Sequence, residues 1–264
     1  MIHIGTSGFS YKDWVGRFYP QELPQSRWLE YYALEFDTCE LNFTYYSLPE
    51  ASQLKGMAER VHDGFQFALK AYKGITHERE EVEPLLERLR EAVQPLKQEG
   101  KLGAILLQFP YSFKRNAEAE ELLKRCRAGL GELPLVVEFR NMQWVRGDGL
   151  ELLRRLGMGY CCVDEPRLRG LMPPLAVATA DVAYVRFHGR NAAKWWHHDE
   201  AWERYDYTYS VGELEEWVPK VRDLEEQASH TYVYANNHWQ GQSVDTARQL
   251  RLMLQGEVGG SGGR

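Results

Sequence analysis

The residues of this chain that could do chemistry recur at one kind of place, the end of a short apolar run. Glu138 and Arg140 close LVVEFR, Glu40 and Asn42 close TCELN, Asp164 closes GYCCVD, and Arg186, His188 and Arg190 alternate along YVRFHGRN. Carboxylates beside a histidine suit general acid–base work. In that reading Glu138 is an ionised base, His188 its acid partner, and Asp164 and Glu40 complete the catalytic carboxylates. Mixed oxygen and nitrogen donors of this kind also suit a divalent metal, but Arg140 two residues from Glu138 and Arg190 near His188 oppose a dication in the same spot. No cofactor or metal ligand set is assigned, and a divalent cation stays open as the alternative.

A second group points to anions. Lys70 ends FQFALK, Gln108 ends GAILLQF, and Asn236 and Asn237 end TYVYANN. Arginine captures phosphate or carboxylate with paired donors, so Arg140, Arg186 and Arg190 join Lys70, Gln108, Asn42, Asn236 and Asn237 as substrate-binding candidates. The segment Gly241-Gln242-Ser243 opens the last helical stretch and offers backbone N–H groups to an anion. Aromatic walls are expected from Tyr11 and Trp14 in the first loop. The long loop NAAKWWHHDEAWERYDYTYS would add Trp195, Trp196 and Tyr207, since long loops of this kind serve as lids or binding surfaces. The competing reading is structural: Glu40, Glu138 and Asp164 simply neutralise the arginines, because a buried charge needs a partner.

These side chains must be positioned by strands. Residues two apart on a strand share a face, so Glu138 with Arg140, Glu40 with Asn42, and Arg186 with His188 and Arg190 form polar faces. They point inward if Val137, Phe139, Val185 and Phe187 pack outward. The runs IHIGTS, TCELN, FQFALK, GAILLQF, LVVEFR, GYCCVD, AYVRFHG and TYVYANN alternate with stretches of helical periodicity such as VEPLLERLREAVQPLK and VGELEEWVPKVRDLEEQ. The proline-rich segment from Glu165 to Asp181 is the exception and predicts a loop. Eight strands alternating with helices in 264 residues predict a single α/β TIM-type (β/α)8 barrel, its helix between strands six and seven weak or missing. The barrel domain is expected over 1–256 and a flexible tail over 257–264. No GxGxxG or Walker A motif supports a doubly wound sheet.

The totals narrow the partners. The net charge of -6 with 44% hydrophobic residues describes a globular chain whose anion affinity must be local. No run has the length of a membrane span and no targeting peptide is visible. Cys39, Cys126, Cys161 and Cys162 have no zinc-type spacing and read as reduced apolar fillers. A cytoplasmic location follows as the expectation.

The ordered pieces IGTSGFSYKDWVGRFYP, ELNFTYYSLP, FQFALKAYKGITH, ILLQFPYSF, VVEFRNMQW, VRFHGRN, RYDYTYSVGELEEW and YVYANNHWQGQSVDTA resemble the domain of unknown function 72 family, also called YecE-like. The resemblance runs nearly end to end and implies a TIM-type barrel. It brings no established activity and no accepted catalytic residues. Two departures are local: Tyr234-Ala235 replaces the usual aromatic pair before NNH, and ELNFTYY lacks the serine or threonine that often follows the asparagine.

The residues thus predict a hydrolase or lyase acting on a small anionic, phosphorylated or nucleotide-like substrate at the C-terminal end of the barrel. The alternative is a non-catalytic module for nucleic acid or a phospho-ligand. The two separate by salt dependence, which is steep for nucleic-acid binding.

Overall fold

The computed structural model describes residues 1–256; the tail expected at 257–264 lies outside the described residues. The strands are β1 (Ile2–Ser7), β2 (Thr38–Leu41), β3 (Gln66–Lys70), β4 (Leu102–Gln108), β5 (Leu135–Glu138), β6 (Gly159–Asp164), β7 (Val182–Phe187) and β8 (His230–Ala235). Each pairs in parallel with the next, and β8 pairs with β1, closing an eight-stranded barrel. Helices α1 (Trp28–Glu35), α2 (Ala51–Ala58), α3 (Val82–Ala92), α4 (Gln94–Gln98), α5 (Ala117–Leu130), α6 (Gly149–Arg155), α7 (Val211–Glu215), α8 (Val218–Gln227) and α9 (Gln242–Gln255) connect them. The segment from Glu165 to Asp181 carries no helix.

Local chemistry explains the elements. Nearly every strand residue is buried, as parallel strands covered by helices must be. In α3 the buried Val82, Leu86 and Leu89 recur every three or four residues, the spacing of one helical face. Asn116 caps α5 by accepting a hydrogen bond from the Ala119 N–H at 2.8 Å. Two stretches of continuous helical periodicity each split in two. Pro95 separates α4 from α3, and Pro219 stands in the first turn of α8 just after α7, because proline is tolerated there but not inside a helix.

The barrel interior is layered. Tyr232 stacks on His3 near the N-terminal end, with ring centroids 4.9 Å apart. Above it Tyr184 and Tyr234 pack together, and Tyr184 Oη donates to Glu40 Oε2 at 2.7 Å. The next layer holds Arg186, Glu40 and Glu138, and above it the mouth opens. Close approach shapes the wall: a side chain at Gly5 would place its Cβ 2.1 Å from the Thr38 carbonyl oxygen. All four cysteines are free and buried. Among the described residues no helix is long and apolar enough to cross a membrane.

Candidate functional site

Three strands aim one ion-pair hub into the barrel. Arg186 on β7 donates from Nη1 to Glu138 Oε2 at 2.6 Å and from Nη2 to Glu40 Oε1 at 2.7 Å. Arg140, two residues beyond Glu138, brings its Nε to 2.6 Å from Glu138 Oε1, close as an ion pair but out of line for a hydrogen bond. His188 Nε2 lies 3.1 Å from the same oxygen, and its Nδ1 lies 2.9 Å from Asn236 Nδ2. An amide nitrogen only donates, so the network assigns the ring proton to Nε2 and leaves His188 a neutral imidazole. Glu138 is therefore held by three side chains and fully buried.

The field follows from these contacts. Burial alone would raise the Glu138 carboxyl, but the Arg140 and Arg186 guanidiniums and His188 hold it well below the usual carboxylate range. Burial, helped by Arg140, pushes His188 down to about 3. A carboxylate this acidic and an imidazole with both nitrogens engaged make a poor proton-exchanging pair near neutral pH. Two neighbours behave differently. Burial raises Glu165 to about 7 against the opposing pull of Arg140, and burial with Arg186 lowers Lys70 to about 7 against Glu138 and Glu40.

A cavity of 560 Å³ lies directly over the hub. Of the residues singled out in the sequence, Tyr11, Asn42, Lys70, Arg140, Arg186 and Asn236 line it. Lys70 Nζ sits 4.1 Å above the centre of the Tyr45 ring. Tyr11 stacks flat on His238, with centroids 4.6 Å apart. Asn42 Oδ1 and His238 Nδ1 are buried with no protein partner, so the wall presents a free amide acceptor and an imidazole nitrogen as well as cations. Tyr45, Tyr46, Trp202 and Tyr205 add aromatic surface, and Glu200 places one carboxylate-bearing residue in the same wall.

Several expected residues stand elsewhere. Asp164 is in register with the outward-facing Phe187, not with Arg186. It accepts from Tyr209 Oη, Trp217 Nε1 and, at 2.9 and 2.8 Å, from Arg190, so it fastens the α7–α8 region to the barrel. The inward residue is its neighbour Glu165, 3.4 Å from Arg140 Nη1. Arg190 leaves the face of Arg186 and His188 because Gly189, at φ +87°, ends the strand's alternation. Its guanidinium is engaged by Asp164 and Glu216. Trp14 is fully buried and donates to the His238 carbonyl. Asn237 ties the Tyr207 carbonyl to Thr246, Tyr207 Oη donates to Glu213, and Gln108 donates to the Phe109 carbonyl. Trp195 is buried beside Arg140 and Arg204 and does not line the cavity. Trp196 lies at the surface, half exposed against Tyr111. At the start of α9 the Gln242 side chain is engaged with Tyr207 and Asp206, and of the backbone groups expected to face an anion the Gly241 N–H donates to the His238 carbonyl.

Sequence reasoning passed over Glu165, Tyr45, Tyr46 and Trp202. The aromatic run FTYY directly after β2 was a usable signal for two of them; nothing in the sequence ranked Trp202 above Trp195. Among the described residues no three His, Cys, Asp or Glu converge on a possible metal position. Arg186 occupies the space between Glu40 and Glu138, and Asp164 faces the other way.

A closed parallel eight-stranded barrel with charged and aromatic residues gathered at its C-terminal end places the molecule among the (β/α)8 barrel proteins. Within that class the chain belongs to DUF72, a family of proteins of unknown function, whose model matches residues 3–261. It is 30% identical to the UPF0759 protein YunF of Bacillus subtilis strain 168, over 98% of this chain and 97% of that one. A DUF72 family protein of Thermotoga maritima MSB8, solved by crystallography, is similar with a TM-score of 0.89 and 39% identity, covering 97% of this chain and 99% of its own. Another, from Enterococcus faecalis V583, gives a TM-score of 0.86 at 26% identity, covering 97% and 96%. These relatives carry a family name and no activity.

Proposed function

We propose that the mouth binds a small anionic, hydroxyl-bearing molecule with a planar or sugar-like part, and that the protein is a lyase or hydrolase acting on it. The observation that carries this reading is the meeting of Lys70 and Arg140 with an aromatic wall around one cavity. Arg140 and Lys70 supply the cations, Asn42 Oδ1 accepts from a ligand hydroxyl or amino group, His238 Nδ1 offers a second hydrogen-bonding position, and Tyr45, Tyr205 and Trp202 stack on the planar part. Glu138 and Glu40 support this reading as the charges that orient Arg140 and Arg186, with neutral His188 bonded to Glu138. Proton exchange falls to Lys70, which lines the cavity and has a value near neutrality; Glu165, also raised to about 7, lies beneath Arg140 outside the cavity wall.

The nucleic-acid alternative has less behind it. The net charge is -6, which opposes extended contact with a phosphate backbone.

Calorimetry against a panel of inorganic phosphate, hydroxy acids, sugar phosphates, nucleoside monophosphates and a short single-stranded oligonucleotide tests the reading. A small anion should bind, and Arg140→Ala should weaken it about 10- to 100-fold, the worth of a hydrogen bond to a charged group. Arg190→Ala should leave affinity within about twofold. Equal losses in both variants, or tight oligonucleotide binding with a steep salt slope, would overturn it.

A further inference from the structure

We propose that Lys70 is a nucleophilic amine that forms an imine with an aldehyde or ketone substrate whose anionic group is held by Arg140. The proposal rests on the binding reading just given and adds the reacting atom and the substrate's functional group.

The contrast with Lys101 shows what is unusual about Lys70. Lys101 is buried, and its Nζ donates to the Ala58 carbonyl at 2.7 Å and the Val61 carbonyl at 3.3 Å, with Glu99 at 3.4 Å. It is a satisfied structural ammonium. Lys70 Nζ, among the described residues, has no hydrogen-bond or ion-pair partner; it rests over the Tyr45 ring and faces the cavity. Lys70 is half-buried; an ammonium partly withdrawn from water and left without acceptors is costly, and the cost falls when the group is a neutral amine. The charged groups around it divide two against two. Arg186 from β7 and Arg140 from β5 oppose the ammonium, while Glu138 from β5 and Glu40 from β2 favour it. Both carboxylates are already bound to Arg186. Burial holds His77, in the turn after β3, as a neutral imidazole. An amine desolvated beside other cations, open to a cavity, is the arrangement that activates lysine as a nucleophile.

The chemistry balances without an oxidant or reductant. The Nζ lone pair forms the C–N bond at the carbonyl carbon, and the two amine protons pass in turn to the former carbonyl oxygen. That oxygen leaves as water as the C=N bond forms, so one amine and one carbonyl give one imine and one water. Once protonated from solvent, the iminium takes up the electron pair of a bond at the α-carbon. The group on the other side of that bond leaves without the pair, as carbon dioxide or an aldehyde, and the enamine left behind takes a solvent proton at the α-carbon to become an iminium again. Hydrolysis then returns the free amine. Arg140, on the neighbouring wall, holds the phosphate or carboxylate so that the carbonyl lies toward Lys70.

Pyridoxal 5′-phosphate, a planar aldehyde bearing a phosphate, is a direct probe, and pyridoxine 5′-phosphate is its control without a carbonyl. The full-length protein is mixed with one equivalent of the aldehyde, treated with borohydride and mapped by peptide mass spectrometry across pH 5.5 to 9. The expected result is a single adduct on Lys70 whose yield rises with a midpoint near pH 7, absent in Lys70→Arg and Lys70→Met. Adducts spread over surface lysines with Lys70 unmodified, while pyridoxine 5′-phosphate still binds by calorimetry, would overturn the imine and leave the anion pocket standing. Failure of both molecules to bind would remove the pocket reading and the imine with it. Because the adduct is mapped on the wild-type protein, the outcome does not depend on how well the variants fold.

Discussion

Replacing Lys70 by methionine should make the protein more stable at neutral pH, and the gain should vanish as the pH rises. Methionine keeps the apolar stem and removes the ammonium. A lysine whose value falls from 10.5 to about 7 on folding costs the native state about 4 kcal/mol at pH 7, at about 1.4 kcal/mol per tenfold. The contact with the Tyr45 ring offsets about 1 kcal/mol of this. Between pH 7 and 10.5 the native state binds fewer protons at Lys70 than the unfolded chain, so wild-type stability rises with pH across that window. Below pH 7 both states are protonated and the contribution is flat. By pH 9 the penalty has dropped to about 2 kcal/mol, so the wild type should gain about 2 kcal/mol on Lys70→Met between pH 7 and 9. Urea unfolding of both proteins at four pH values, with equal m-values, reads this difference while every other titrating group cancels. Parallel stability curves would mean that Lys70 is an ordinary ammonium in the fold and would refute the reasoning built on its missing partners.

Two further outcomes follow from the hub and its surroundings. Glu138→Gln leaves Arg186 and Arg140 without their shared counter-charge and should cost about 3–5 kcal/mol; thermal unfolding of this variant indistinguishable from wild type would mean that Glu138 is not the hub's anchor. His188, held neutral at about 3 from an ordinary 6.5 by burial and Arg140, contributes stability that is complete above pH 6.5 and lost as the pH falls toward 3. At pH 4.5 about 3 kcal/mol should be gone, and His188→Gln should lack that part of the acid limb in paired denaturation curves.

Much of this molecule was legible in its sequence. The eight apolar runs became eight strands in the expected order, the Glu165–Asp181 crossover has no helix, and Arg186, Glu138 and Glu40 share the inner face. Those features depend on local pattern: apolar runs bounded by breakers, and the period of two that binds residues i and i+2 to one side. Pattern gives relative facing within a strand, however, and not which face is inner. In GYCCVDE both parities are apolar enough to be buried, so only pairing with β7 decided that Asp164 turns out and Glu165 turns in. A shift of one residue reverses every side chain. Arg190 was lost to the site in a similar way, by the turn at Gly189 and by a carboxylate 26 residues away.

Pairing is the deeper reason for the division. Whether a charged side chain is engaged or available depends on partners that arrive from distant strands and loops, which no local pattern records. The sequence by itself determined a barrel and the ring of polar residues at its C-terminal end. Only the tertiary structure decided that Asp164 and Arg190 neutralise each other outside the ring, that Trp202 and not Trp195 reaches the cavity, and that Lys70 stands there without a partner.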